Sequence, residues 1–312
     1  MTDFAFVFPG QGSQSVGMLD AWGNHPAVTQ TLLEASDALG EDVAKLIKEG
    51  PKEALALTTN TQPVMLVAGV AAYRAWLAEG GRIPSVVAGH SLGEYSALVA
   101  SGVLTLIQAA PLVRLRAQAM QDAVPVGVGA MAAVLGLDAA KVIAVCAVST
   151  RSSGEIAEAV NFNDPLQTVI AGSKAAVDIA CEMLKAEGAK RTLLLQVSAP
   201  FHSSLMRPAA EKLKVKLAET SFAPIHIPLI NNIDVAIETD IARIRDALYR
   251  QAFGAVRWVK CVQAIKAGGV SHIIECGPGK VLAGLVKRID ADLTGASLFD
   301  PASMAQVKEL LI

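Results

Sequence analysis

Gly89-His90-Ser91-Leu92-Gly93 sets a serine between two glycines, directly after the apolar run Val86-Val87-Ala88. A strand, a sharp turn and a helix are the expected local structure, with glycines letting the backbone turn tightly enough to lift the serine hydroxyl clear of a sheet. The serine would then open a helix running from Leu92 to about Ser101, where unpaired backbone amides favour developing negative charge. A small-residue turn whose serine only caps that helix fits the same residues. The two alternatives separate once other parts of the chain supply a base and an oxyanion site.

A serine hydroxyl becomes a useful nucleophile when a base takes its proton, and histidine titrates in the right range for that exchange. The chain has five histidines. His90 neighbours the serine and would point elsewhere on a tight turn, while His25, His226 and His272 lie in ordinary helix or strand contexts. His202 stands apart in Ser198-Ala199-Pro200-Phe201-His202-Ser203-Ser204, a proline-fixed loop at the mouth of a helix. A tetrahedral intermediate needs donors where its oxyanion develops. The Leu92 backbone amide is available by geometry, and the loop Gly10-Gln11-Gly12 could bring a second. That loop lacks the Gly-Lys-Ser/Thr of a phosphate loop and the spacing of a dinucleotide site. Arg114 and Arg116 lie on one helical segment with Met120. Either arginine could be a solvated surface charge, or a carboxylate-binding fork in an apolar pocket.

The elements that must position these residues are legible from composition and period. With 312 residues, 52% apolar and only 4% aromatic, the chain can bury a large core of Ala, Val, Leu and Ile, as α/β layers do. A net charge of −2 and a pI near 6.2 argue against nucleic acid as a partner. The cysteines at 146, 181, 261 and 276 are widely spaced in apolar surroundings and read as reduced core residues rather than metal ligands. The start enters a strand pattern with neither a signal peptide nor a transit helix, which makes the cytoplasm the expected location. Polar residues interrupt the uncharged run from Tyr95 to Val113, which fits two buried helices joined at Ser101-Gly102 better than a membrane span.

Strands are expected at Phe4 to Phe8, at the run before Gly89, at Ile225 to Asn231 and at His272 to Glu275. Helices are expected at Pro26 to Leu39, Asp42 to Lys48, Lys52 to Leu57, Thr61 to Glu79 with Pro63 in its first turn, Leu106 to Asp122, Leu205 to Thr220, Asp240 to Gln251, Val259 to Ala267 and Lys280 to Ile289. Between them, Gly127 to Val197 reads βαββαβ, the order of a ferredoxin-like unit. The fold class is therefore α/β: a large, hydrolase-like layer with a mainly parallel sheet, residues 1–125 and 199–312, and a small ferredoxin-like insertion, residues 126–198. Gly10, Ser91 and Gly277 all follow strands, where α/β sheets place their sites.

Taken in order, several segments resemble the malonyl-CoA:acyl-carrier-protein transacylases of fatty acid and polyketide synthesis. They are Phe6-Val7-Phe8-Pro9-Gly10-Gln11-Gly12-Ser13-Gln14, Thr61-Gln62-Pro63, Gly89 to Glu94, Arg116 with Met120, Val160-Asn161-Phe162-Asn163, Val169-Ile170-Ala171-Gly172, Ala199 to Ser203, and Glu275 to Leu282. The resemblance implies a dyad in which Ser91 attacks a malonyl thioester and His202 moves the proton. It implies that the Gln11 and Leu92 amides hold the oxyanion, that Arg116, near Met120, grips the malonate carboxylate, and that Phe201 narrows the space at the α-carbon. A carbonyl in the Gln251 region would orient His202 in place of a triad aspartate. Here the chain departs from the family, which continues from that glutamine with an Asn-Pro pair; this one reads Gln251-Ala252-Phe253-Gly254-Ala255.

The resemblance also implies malonyl-CoA as donor, the phosphopantetheine of an acyl carrier protein as acceptor, no permanently bound cofactor or metal, and a monomer. Lys190, Arg191, Lys280, Lys287 and Arg288 are candidate docking charges for an acidic carrier, or plain solvated charges. Two other functions share these residues: a serine acyl hydrolase or editing thioesterase acting on carrier-bound acyl groups, and a catalytically silent scaffold that only binds the carrier.

Overall fold

The computed structural model describes residues 3–312, so the first two residues of the expected strand-like start lie outside it. In chain order the strands are β1 (Phe4–Phe8), β2 (Val86–Gly89), β3 (Gly129–Leu135), β4 (Ala157–Asp164), β5 (Gln167–Ser173), β6 (Arg191–Leu194), β7 (Leu229–Ile230), β8 (His272–Cys276) and β9 (Thr294–Leu298). The helices are α1 (Pro26–Leu39), α2 (Val43–Glu49), α3 (Lys52–Ala56), α4 (Thr58–Ala78), α5 (Gly93–Ala100), α6 (Leu106–Asp122), α7 (Ala139–Ser153), α8 (Lys174–Ala186), α9 (Arg207–Glu219), α10 (Ile241–Gln251), α11 (Trp258–Ala267), α12 (Val281–Ile289) and α13 (Pro301–Leu310).

Five strands form one parallel sheet in the order β7-β2-β1-β8-β9. β1 lies at its centre and is buried along its whole length, as a strand covered on both faces must be. Its side chains alternate. Phe4, Phe6 and Phe8 face a core shared with Tyr73 and Trp76 of α4, where the Phe6 and Trp76 rings meet edge to face at 5.5 Å. Ala5 and Val7 face the opposite layer, with Trp258 and Ile265 of α11 and Leu282 and Leu285 of α12. Helices therefore cover both faces, and the loops after β1, β2 and β8 emerge at one end.

The second sheet is antiparallel, in the order β4-β5-β3-β6. This is the strand order of the ferredoxin-like arrangement, with α7 and α8 packing Val142, Cys146, Val177, Ala180 and Leu184 onto one face. Its β4 edge is tied to the segment between α10 and α11: Phe162 donates its amide to the Val256 carbonyl at 3.0 Å, and Val256 donates to Val160 at 2.8 Å.

Several elements differ from the expectation. α4 begins at Thr58 rather than Thr61, so Pro63 sits beyond its first turn and leaves the Thr59 carbonyl without its helical donor. The Arg114 guanidinium donates to that carbonyl and, at 2.9 Å, to Asn60 Oδ1, which is what allows the helix to start early. The strand expected at Ile225 to Asn231 shortens to two residues: Pro224 and Pro228 have no amide to give a ladder, and the Pro228 carbonyl, accepting from Val87 at 2.8 Å, opens the pairing that remains. A 3-10 turn at Ser204–Met206 precedes α9. β9 and α13 were not expected: Thr294-Gly-Ala-Ser-Leu298 has little β-forming character of its own and is held by pairing along all of β8. The uncharged run from Tyr95 resolves into α5 and α6, and among the described residues no helix is long and apolar enough to cross a membrane.

Candidate active site

Ser91 follows β2 at φ 53° and His202 lies at φ 65°, both in the left-handed region that non-glycine residues seldom occupy. The flanking glycines do different work from the turn expected of them. A Cβ on Gly93 would lie 2.0 Å from the Phe8 carbonyl oxygen, and one on Gly89 would lie 1.9 Å from the Gly93 carbonyl carbon. They are needed because backbones touch there, while the sharp bend falls on the serine itself.

Asn232, just past β7, braces that bend. Its Oδ1 accepts the Ser91 amide at 2.7 Å and its Nδ2 donates to the Gly89 carbonyl at 2.7 Å. The Ser91 hydroxyl then lies 2.6 Å from His202 Nε2. His202 Nδ1 lies 2.8 Å from the Gln251 carbonyl, an acceptor only, so Nδ1 carries the proton and Nε2 is left to accept from Ser91. Gln251 is the last residue of α10, and the altered segment that follows it leaves its carbonyl facing His202. Burial, and after it the Arg116 charge, push the His202 imidazolium down to about 3, so the ring is neutral near pH 7.

Arg116, on α6, is only 2% exposed. It donates to Gln62 Oε1 at 2.5 Å, to Gln251 Oε1 at 3.1 Å and to Ser91 Oγ at 3.3 Å, and its Nε has no partner among the described residues. Burial lowers its pKa from the ordinary arginine value. Among the described residues no carboxylate lies within ion-pair distance of it, which leaves a buried cation beside the hydroxyl with neutral neighbours. Arg114, the other candidate, faces outward to Thr59, Asn60 and Glu41.

A cavity of about 180 Å³ opens over Ser91, lined by Gln11, Gln62, Leu92, Arg116, Met120 and Phe201 among others. Gln62 Nε2 approaches the Met120 sulfur at 3.9 Å. The Gly10 loop rests on the elbow: a Cβ at Gly10 would meet the His90 carbonyl at 2.7 Å and stand 3.8 Å from the Leu92 amide nitrogen. The amides that follow in each segment, Gln11 and Leu92, make no hydrogen bond within the protein among the described residues. His90 is turned to Asn163 Oδ1 at 2.8 Å and packs on Trp258, as a structural histidine would. The arrangement can deprotonate a hydroxyl, receive an acyl group on it, and hold a carboxylate on that group.

A model of the acyl transferase domain family matches residues 5–289. The malonyl CoA-acyl carrier protein transacylase of Salmonella typhimurium is 52% identical over 306 residues, covering 98% of each chain. The chain belongs to the malonyl CoA-acyl carrier protein transacylase family. Among solved transacylases, the acyl-carrier-protein S-malonyltransferase of Burkholderia pseudomallei is 62% identical and superposes with a TM-score of 0.97, over 99% of this chain and 100% of that one. A malonyl-transacylase solved in complex with its type II PKS acyl-carrier protein is 49% identical at a TM-score of 0.97, over 99% and 100% of the two chains. For a transacylase site, sequence reasoning left Gln62, Glu94 and Asn232 without roles. Gln62 and Glu94 stand inside the segments that carry the resemblance; Asn232 directly follows the strand expected at Ile225 to Asn231, and nothing beside it in the chain points to the distant serine it braces.

Proposed function

We propose that this protein moves a malonyl group from coenzyme A to the phosphopantetheine thiol of an acyl carrier protein, through a malonyl ester on Ser91. The observation that carries the reading is Arg116, a buried guanidinium with no carboxylate partner among the described residues, 3.3 Å from the hydroxyl that faces His202. A malonyl group on Ser91 would place its free carboxylate within reach of that fork, which suits a planar acid as lysine would not.

In the first half-reaction the Ser91 hydroxyl gives its proton to His202 Nε2 as Oγ bonds to the thioester carbon. The Gln11 and Leu92 amides take the oxyanion. Collapse breaks the carbon–sulfur bond, and His202 returns the proton to the coenzyme A sulfur. In the second half-reaction the carrier's thiol gives its proton to His202, its sulfur attacks the ester, and the Ser91 oxygen leaves and is reprotonated. The Gln251 carbonyl holds His202 in the tautomer both halves need, in place of a triad carboxylate. Phe201 and Met120 wall the cavity at the malonyl α-carbon. Coenzyme A and phosphopantetheine enter as parts of substrates, and every proton transfer above uses a side chain of this protein.

The reading includes residues 126–198 as a small inserted unit and residues 1–125 with 199–312 as the large one, action as a monomer, and a cytoplasmic location. Lys190, Arg191 and Lys287 are exposed and make no ion pair among the described residues, which suits docking to an acidic carrier. Arg288 is paired with Asp164 at 3.3 Å and Lys280 lies over the Phe299 ring.

Intact and peptide mass spectrometry of the protein mixed with malonyl-CoA tests the reading. One malonyl adduct is expected, on Ser91, discharged on adding carrier protein with its phosphopantetheine arm. An adduct on another residue, or one that water removes as fast without carrier as with it, would overturn the transfer reading; the second result would favour the hydrolase.

A further inference from the structure

We propose that Glu94 is a positioning residue that clamps Gln251 against Arg116 and thereby fixes the Gln251 carbonyl on His202. Glu94 lies in the first turn of α5, is 2% exposed, and does not line the cavity over Ser91. Its Oε2 accepts two hydrogen bonds, from the Asn232 backbone amide at 2.9 Å and from Gln251 Nε2 at 3.0 Å. No cation lies within ion-pair distance of it among the described residues. A buried carboxylate with no contacting cation is costly, and burial raises its pKa to about 7.

Gln251 lies between two groups that demand opposite ends of its amide. Arg116 Nη2 can only donate, so it must face Gln251 Oε1 at 3.1 Å; Glu94 and the Ser91 carbonyl, at 3.0 Å each, accept from Nε2. The side-chain amide is thus aligned as a dipole between a carboxylate and a guanidinium, with one orientation permitted. The backbone carbonyl of that same residue orients the base. Asn232, whose main-chain amide meets the same Glu94 oxygen, also braces the serine bend. One oxygen atom that never meets substrate therefore holds the supports of both Ser91 and His202.

This inference rests on the Ser91–His202 pair of the proposed function, and its test avoids malonyl chemistry. The readout is the rate at which a fluorophosphonate probe labels Ser91 in the full-length protein. Glu94→Ala is expected to slow labelling by about tenfold or more, from loss of a hydrogen bond to a charged group. Glu94→Gln, which keeps an oxygen for both donors, should recover most of that loss. In a Gln251→Ala background, which retains the carbonyl but not the amide, Glu94→Ala should cost several-fold less than in the wild type, what remains being the loss of the Asn232 contact, because coupled residues are non-additive. Should Glu94→Ala not fold, Glu94→Asp, which withdraws the carboxylate by one methylene, takes its place in each comparison. Unchanged labelling in a folded Glu94→Ala protein, full additivity with Gln251→Ala, or no recovery in Glu94→Gln would overturn the clamp. A wild-type protein that labels at Ser91 but transfers no malonyl would sink the proposed function and leave this test intact.

Discussion

Arg116 acts on the site through its geometry and through its charge. Its fork reaches Ser91 Oγ and the Gln251 side chain, and its charge is the second cause, after burial, of the low His202 pKa. Arg116→Ala should therefore have two separable effects. Malonyl transfer should fall by about a hundredfold, the scale of losing a charge-assisted pair of hydrogen bonds, with much less effect on acylation by an acetyl thioester. Removing a cation also favours the imidazolium, so the His202 pKa rises. Because the neutral ring is the base, the acid-side loss of acetylation should begin at higher pH than in the wild type. Acylation rates of Ser91 with the two donors across a pH series read both effects, and equal loss on both donors would argue against a carboxylate pocket.

At the scale of elements, the site depends on β1 and α5 touching backbone to backbone at Gly93. Gly93→Ala has to push α5 off the Phe8 carbonyl, a shift that overpacking of a core prices at about 1–3 kcal/mol; urea unfolding should show a midpoint lowered to match, and an unchanged midpoint would refute the contact. Such short-range features were legible in the sequence, since a strand, a bend and a helix are written in nine consecutive residues. The Pro-Phe-His loop and the Arg116 helix were legible too, though their convergence on Ser91 came from resemblance rather than from spacing. Asn232 was not legible: it lies 141 residues from the serine it braces, after a two-residue strand held by its neighbour. β9 was hidden for a related reason, its residues being small and its strand character imposed by β8. The early start of α4 needed Arg114 from another helix to satisfy Thr59, which no local pattern of α4 contains.

Across the whole molecule, buried ionisable groups of opposite sign set how stability responds to pH. Burial raises Glu94 and Glu275 from 4.5 to about 7, so between those values the native state holds protons that the unfolded chain has lost, and stability falls as pH rises. Burial lowers His202 from 6.5 to about 3 and lowers His90 from the same ordinary value. Below 6.5 the unfolded chain binds protons that these rings refuse, so stability rises with pH. Between about pH 4.5 and 6.5 the histidines therefore oppose the two carboxyls, and the unfolding free energy should fall less steeply with pH than the carboxyls alone would make it. Replacing both Glu94 and Glu275 by Gln removes one side of the balance; denaturant titrations of that variant should then show stability rising with pH across the window, and a flat profile would contradict the shifts. The left-handed backbone at Ser91 and His202 bears on robustness in another way. Any side chain there costs about 1–3 kcal/mol that glycine would avoid. Two positions that selection for chemistry must keep are thus positions where selection for stability alone would choose glycine, and a duplicated copy released from its reaction would gain stability by losing its nucleophile or its base.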